Sequence, residues 1–206
     1  MSTSTNTAER PAAGSVRFDR RAVVAELLAG VPDALVVTGL GSPTYDVASA
    51  GYRERNFFLW GAMGGSIPLG LGIALAQPEE SVVVITGDGE QLMGIGALGT
   101  VVAAAPRNLT VVCLDNGHFG ETGMQRSHTS FGTDLVAVAR GFGIADAFTV
   151  SDESQIAGLA ERIRARAGIT YARVPIDPSE PPRVMPLRDG VSTKNTFRAS
   201  LGLSTF

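Results

Sequence analysis

One cysteine, two histidines and no apolar run approaching the ~20 residues of a bilayer span set the first limits on this 206-residue chain. A single cysteine excludes an internal disulfide. Cys113 lies inside an apolar stretch ending at Asp115 and reads as a small buried residue rather than a nucleophile. With no thiolate or imidazole cluster to compete, a metal would fall to hard oxygen ligands. Residues 1–15 are polar, small and Pro-containing and lack the apolar core of a signal peptide, so a disordered N-terminal tail and a cytoplasmic location are expected. The net charge of −3 gives no reason to expect nucleic acid or an anionic membrane as partner. No repeat or low-complexity tract is present.

What the chain does have is 44% hydrophobic residues and 25 glycines, enough to fill the core of one domain. Apolar runs at 34–39, 82–86, 109–115, 147–150 and 170–176 read as strands, β-branched and buried on both faces. Between them, 21–29, 66–76, 134–142 and 152–167 read as helices, the last with Ser151 as its N-cap, and a helix of roughly four turns follows Gly89. This alternation predicts a single doubly wound α/β domain over residues 16–188, with a mostly parallel sheet and helices on both faces. Pro178, Pro181, Pro182 and Pro186 exclude regular structure after Asp177, and 189–206 reads as a flexible or partner-docking tail.

The segment 82–120, VVVITGDGEQLMGIGALGTVVAAAPRNLTVVCLDNGHFG, places Asp88 and Asn116 at the ends of two strands of one βαβ unit. Ligands bind at that edge of a parallel sheet. Asp88 offers a carboxylate, Asn116 an amide oxygen, and the irregular chain beyond Asn116 a backbone carbonyl, a set suited to magnesium that shares itself with a phosphate. Gly87 and Gly89 let the backbone approach that phosphate, and the following helix presents its free N–H groups. Glu90, in the first turn, favours the helix dipole whatever its function. Ser42 and Thr44, after the first strand, can reach the same edge or simply make a turn. Gly94, Gly96 and Gly99 cost about 1 kcal/mol each in a helix, which implies a close neighbour, cofactor or subunit.

GDG, then 26 residues, then Asn, resembles the signature of thiamine diphosphate-dependent decarboxylases related to acetolactate synthase. LWGAMGGSIPLGLGIALA, 59–76, is similar to their G-x-M-G block, and LDNGHFGETGMQRSHT, 114–129, most resembles sulfopyruvate and phosphonopyruvate decarboxylases, especially the small β subunit of the two-chain enzymes. The resemblance implies the thiamine diphosphate-binding fold, with Mg2+ on Asp88, Asn116 and the His118 main-chain oxygen. It also implies cofactor contacts at Gly61, Met63, Asp88, Asn116 and His118, to which the reading of the residues adds Gly87, Gly89, Glu90 and Ser42. On the polar, Gly-containing loop after Asn116, His118, Glu121 and His128 are catalytic candidates beside Thr122 and Gln125, and Arg126 is a candidate for a sulfonate or phosphonate; each reads equally as a solvated loop residue.

In that family a glutamate on a separate pyrimidine-binding domain generates the ylide, and this chain has ten Glu but no such domain. The resemblance therefore implies a second subunit, in a hetero-oligomer with two or more copies of each chain. It would turn a small 2-oxoacid into an aldehyde and CO2 through ylide and enamine. Alternatives at this point are a subunit of a thiamine-dependent carboligase and a noncatalytic cofactor-binding or scaffold protein.

Overall fold

The computed structural model describes residues 16–205, so the tail expected at 1–15 lies outside the described residues. Asp19 opens the first helix, α1 (Arg20–Gly30), by accepting a bond from the Ala22 N–H at 2.8 Å. There follow β1 (Leu35–Thr38), α2 (Ser42–Ser49), β2 (Asn56–Phe58), α3 (Ser66–Ala76) and β3 (Val82–Gly87). Next come α4 (Asp88–Met93), α5 (Ala97–Ala104) and β4 (Leu109–Asp115). A small hairpin of β5 (His118–Phe119) and β6 (Gln125–Arg126) precedes α6 (Leu135–Phe142). The chain closes with β7 (Asp146–Thr149), α7 (Ser154–Ala165), β8 (Thr170–Pro175) and α8 (Gly190–Ala199).

Six strands form one parallel sheet in the order β2-β1-β3-β4-β8-β7. The alternation of side chains along each strand divides the core in two. Val36, Val83, Ile85, Val112, Leu114 and Val174 pack with α1 and α7, while Leu35, Val37, Val82, Val84, Val111 and Tyr171 pack with α3, α5 and α6. Cys113 is fully buried in the second core, as its apolar setting predicts. The connections from β1 and β3 leave in opposite directions along the sheet, to β2 and to β4, so a topological switch point lies between these two strands.

Several expectations are revised. The single helix after Gly89 is two helices, because Gly94 ends α4 where an added Cβ would lie 2.4 Å from the Gly64 carbonyl oxygen. The close neighbour is the chain itself at two of these glycines, Gly64 at Gly94 and the Phe142 ring at Gly99, while Gly96 faces open space. Ser151 does not cap α7; the helix begins later, where Asp152 accepts from the Ser154 N–H at 2.9 Å. Helix α2 and edge strand β2 were not read from the sequence. In the segment taken as a flexible or docking tail, Asp189 caps α8 by accepting from the Ser192 N–H at 2.6 Å, and Phe197 is buried edge-on against Phe57 at 5.5 Å.

Candidate functional site

A cleft of about 430 Å³ opens at the C-terminal ends of β1, β3 and β4, beside the switch point. Its walls are Leu40 to Pro43 after β1, Gly87 to Glu90 after β3, and Leu114, Asn116 and His118 to Thr122 after β4, with Met63 and Met93 at the rim. The register explains the convergence. Gly87 pairs with Leu114, so the residues just beyond, Asp88 and Asp115 to Asn116, leave the sheet side by side.

Asp88 is only 2% exposed. Ser127 donates its hydroxyl to the Asp88 carboxylate, and the Thr129 hydroxyl lies 3.2 Å from the same oxygen and 2.8 Å from Asp115 Oδ1. Burial, then the neighbouring Asp115 charge, push the Asp88 carboxyl up to about 6, against the pull of the two hydroxyls. Asp115 in turn accepts from Arg173 Nε at 2.6 Å and from the Gly117 N–H at 3.0 Å. Arg173 thus compensates Asp115, while Asp88 has no ion-pair partner among the described residues.

Asn116 Oδ1 accepts from the His118 N–H at 2.9 Å. Ser127 N–H donates to the Gly117 carbonyl at 2.8 Å, so His118 and Arg126 sit opposite each other at a non-hydrogen-bonded position of the hairpin. Both backbone polar groups of His118 therefore face away from β6, toward the Asn116 side. The result is a carboxylate, an amide oxygen and a backbone carbonyl at two neighbouring strand ends, a donor set suited to a hard divalent cation. Among the described residues no group of three or more His, Cys, Asp or Glu is placed to hold a metal, so a cation here would rely on that mixed set and on ligand oxygens.

Of the residues singled out in the sequence, Ser42, Met63, Gly87, Asp88, Gly89, Glu90, Asn116, His118 and Glu121 all line the cleft. Gly61 and His128 do not; His128 is exposed and stands edge-on to Phe119 at 6.3 Å. Glu90 points inward, accepting from the Thr86 hydroxyl at 2.8 Å, in space that only a glycine at position 39 leaves open: a Cβ there would lie 1.8 Å from Glu90 Oε1. Burial pushes its carboxyl up. Thr44 is structural, bonded to the Thr38 hydroxyl and the Gly39 carbonyl at 2.6 Å each. His118 Nδ1 lies 2.8 Å from the Asn116 carbonyl; with its proton there the ring presents Nε2 as an acceptor. Arg126 is engaged elsewhere: its guanidinium stacks 4.3 Å over the Phe131 ring and donates to the Ser130 carbonyl.

Sequence reasoning missed Ser127, Thr129 and Asp115, which build the surroundings of Asp88. The first two look like ordinary turn formers, and Asp115 like the polar end of a strand.

The family model described as the thiamine pyrophosphate enzyme C-terminal TPP binding domain matches residues 40–174. Sulfopyruvate decarboxylase subunit beta of Methanocaldococcus jannaschii is 40% identical over 110 residues, 53% of this chain and 58% of that protein. Phosphonopyruvate decarboxylase of Streptomyces viridochromogenes is 43% identical over 135 residues, 65% of this chain and 34% of that one. The chain thus matches about half, or less, of these relatives' length. Benzoylformate decarboxylase of Polynucleobacter necessarius shares the fold, with a TM-score of 0.66 at 19% identity over 82% of this chain and 36% of that one. On the match over residues 40–174, which is most of the chain, this protein belongs to the thiamine pyrophosphate enzymes, as their C-terminal TPP binding domain.

Proposed function

We propose that this chain is the diphosphate-binding subunit of a two-chain thiamine diphosphate-dependent decarboxylase acting on a small 2-oxoacid of the sulfopyruvate or phosphonopyruvate type. The observation that supports the reading is that Asp88, Asn116 and His118 line one cleft at the switch point, Asn116 Oδ1 lying 2.9 Å from the His118 N–H. Asp88 lies beside Asp115 with the Ser127 and Thr129 hydroxyls as its side-chain partners and no ion pair among the described residues, and a divalent cation there would supply positive charge. These three groups would hold Mg2+, and the backbone of Gly87 to Gly89 would face the diphosphate. When bound, thiamine diphosphate supplies the carbon nucleophile and electron sink for loss of CO2.

The chain's own residues bind, orient and handle protons. His118 and Glu121 line the cleft, where each can hold or pass a proton to the reacting carbon. Among the described residues, Glu90 and Glu121 are the glutamates that line it, and Glu90 is tied inward to Thr86. The glutamate that activates the cofactor is therefore assigned to a second subunit. Met63 and Met93, 37% and 60% exposed at the rim, give that subunit apolar surface to cover. The beta-subunit name of the Methanocaldococcus jannaschii relative supports a divided enzyme.

The test is native mass spectrometry of the complex purified with its partner, thiamine diphosphate and Mg2+, together with CO2 release from sulfopyruvate and phosphonopyruvate. A second polypeptide, one cofactor mass per pair and CO2 release lost in Asp88→Ala are expected. A homo-oligomer without cofactor overturns the reading; a product with a new carbon–carbon bond moves it to carboligation.

A further inference from the structure

We propose that Arg183 receives the anionic head group of the substrate and so selects 2-oxoacids carrying a sulfonate or phosphonate over those with an uncharged tail. The inference rests on the decarboxylase reading and adds a residue outside the family match, which ends at 174.

A head group with tetrahedral oxyanion chemistry needs a cation at the mouth of the cleft, and the arginines nearby differ in what they have left to give. Arg20 lines the cleft but is buried, with Nε on Asp46 Oδ2 at 2.7 Å. Arg173 is paired with Asp115 at 2.6 Å. Arg126, the candidate from sequence, stacks on Phe131. Arg183 stands apart. Its side chain is 58% exposed, its Nη2 lies 3.3 Å from Glu121 Oε2, and Glu121 is part of the cleft wall.

The segment between β8 and α8 delivers Arg183 to this place. Arg21 donates to the Pro182 carbonyl, fixing the residue next to Arg183, and Pro178, Pro181, Pro182 and Pro186 restrict the backbone on either side. The guanidinium sits 5.6 Å over the Tyr45 ring. Arg183, Arg21, Glu121 and Glu180 share a recess that runs into the cleft past Ser42. Glu121 alone would repel a substrate that carries a carboxylate and a second anion. Arg183 neutralises that charge along one edge of its fork, and a planar guanidinium with five N–H donors keeps others for the tetrahedral head group.

The experiment uses the reconstituted complex of both subunits with thiamine diphosphate and Mg2+, in wild type, R183Q and R183K. The first readout is kcat/KM for sulfopyruvate divided by that for pyruvate. The second is calorimetric affinity for sulfolactate, the 2-hydroxy analogue that cannot lose CO2. In R183Q the ratio should fall roughly ten- to hundredfold, the range of a charge-assisted hydrogen bond, chiefly through KM for sulfopyruvate. Sulfolactate affinity should fall by a similar factor, and R183K, which keeps the charge without the fork, should lie between. An unchanged ratio overturns the proposal, as does an equal fall in kcat for both substrates, which would leave Arg183 as a support for Glu121 alone. If R183Q does not fold, R183K decides by the same ratio. Should the wild-type complex release CO2 from neither acid, the decarboxylase reading fails by itself, while loss of sulfolactate binding in the variants still reads Arg183.

Discussion

Two buried aspartates meet opposite fates. Asp46, on α2, accepts from Arg20 on α1 at 2.7 Å, and Arg21 lies 3.7 Å from its other oxygen. Burial pushes the Asp46 carboxyl up and the two arginines pull it back, so the pair is complete within the chain and ties one helix to the next. Asp88 is as buried but has hydroxyls rather than arginines as side-chain partners, and a second carboxylate, Asp115, beside it. The first arrangement is structural electrostatics that has already been compensated. The second leaves Asp88 without an ion-pair partner among the described residues, in the wall of the cleft.

Removing each charge in turn should separate these roles. The largest effect is expected on stability from Arg20→Met, which strands Asp46 in the core at a cost of about 3–5 kcal/mol. Urea unfolding checks it, and an unchanged midpoint would make the pair dispensable. Asp88→Ala should do the reverse. It should weaken Mg2+-dependent binding of thiamine diphosphate to the complex by roughly a hundredfold or more, about 2.7 kcal/mol, without lowering the unfolding midpoint of the cation-free chain. Equal affinities by calorimetry would remove Asp88 from the metal site.

Ser127→Ala tests the hydroxyl that donates to Asp88. About tenfold weaker Mg2+-dependent cofactor affinity is expected, the lower end for a residue that orients a ligand, with only a small change in stability. Full retention of affinity would show that the hydroxyl merely fills space.

The smallest effect is a pH slope. Asp88 holds its proton more tightly folded than unfolded, so its favourable contribution is present below the ordinary carboxylate pKa of ~4. That contribution is lost as pH rises through about 6. Without metal, the wild-type unfolding midpoint should therefore decline from pH 5 to 7.5 relative to Asp88→Asn. Parallel slopes for the two proteins would contradict it.

The parts of this molecule that could be read in advance are those whose pattern is local. α3 at Ser66–Ala76 and β4 at Leu109–Asp115 match their expected bounds, because a buried parallel strand is a continuous β-branched run and the flanking glycines and asparagine end it. Helix α2 was hidden by Gly41, Ser42 and Pro43, which look like a turn but here open a helix with proline in its first turn. Helix α8 was hidden by its Ser and Thr content, although Phe197 and the Asp189 cap specify it. The cleft-lining places of Asp88, Asn116 and His118 were legible because each follows a recognisable strand end.

The sequence by itself determined an α/β alternation, the two neighbouring strand ends and the oxygen donors placed on them, because period, turn residues and ligand chemistry are properties of consecutive residues. Only the tertiary structure decided what surrounds those donors. Ser127 reaches Asp88 across 39 residues, Arg173 reaches Asp115 across 58, and Arg20 reaches Asp46 across 26. Arg183 comes to Glu121 from beyond the last strand. No periodicity encodes such pairings; they arise when the sheet brings distant segments to one edge and burial makes every uncompensated charge costly.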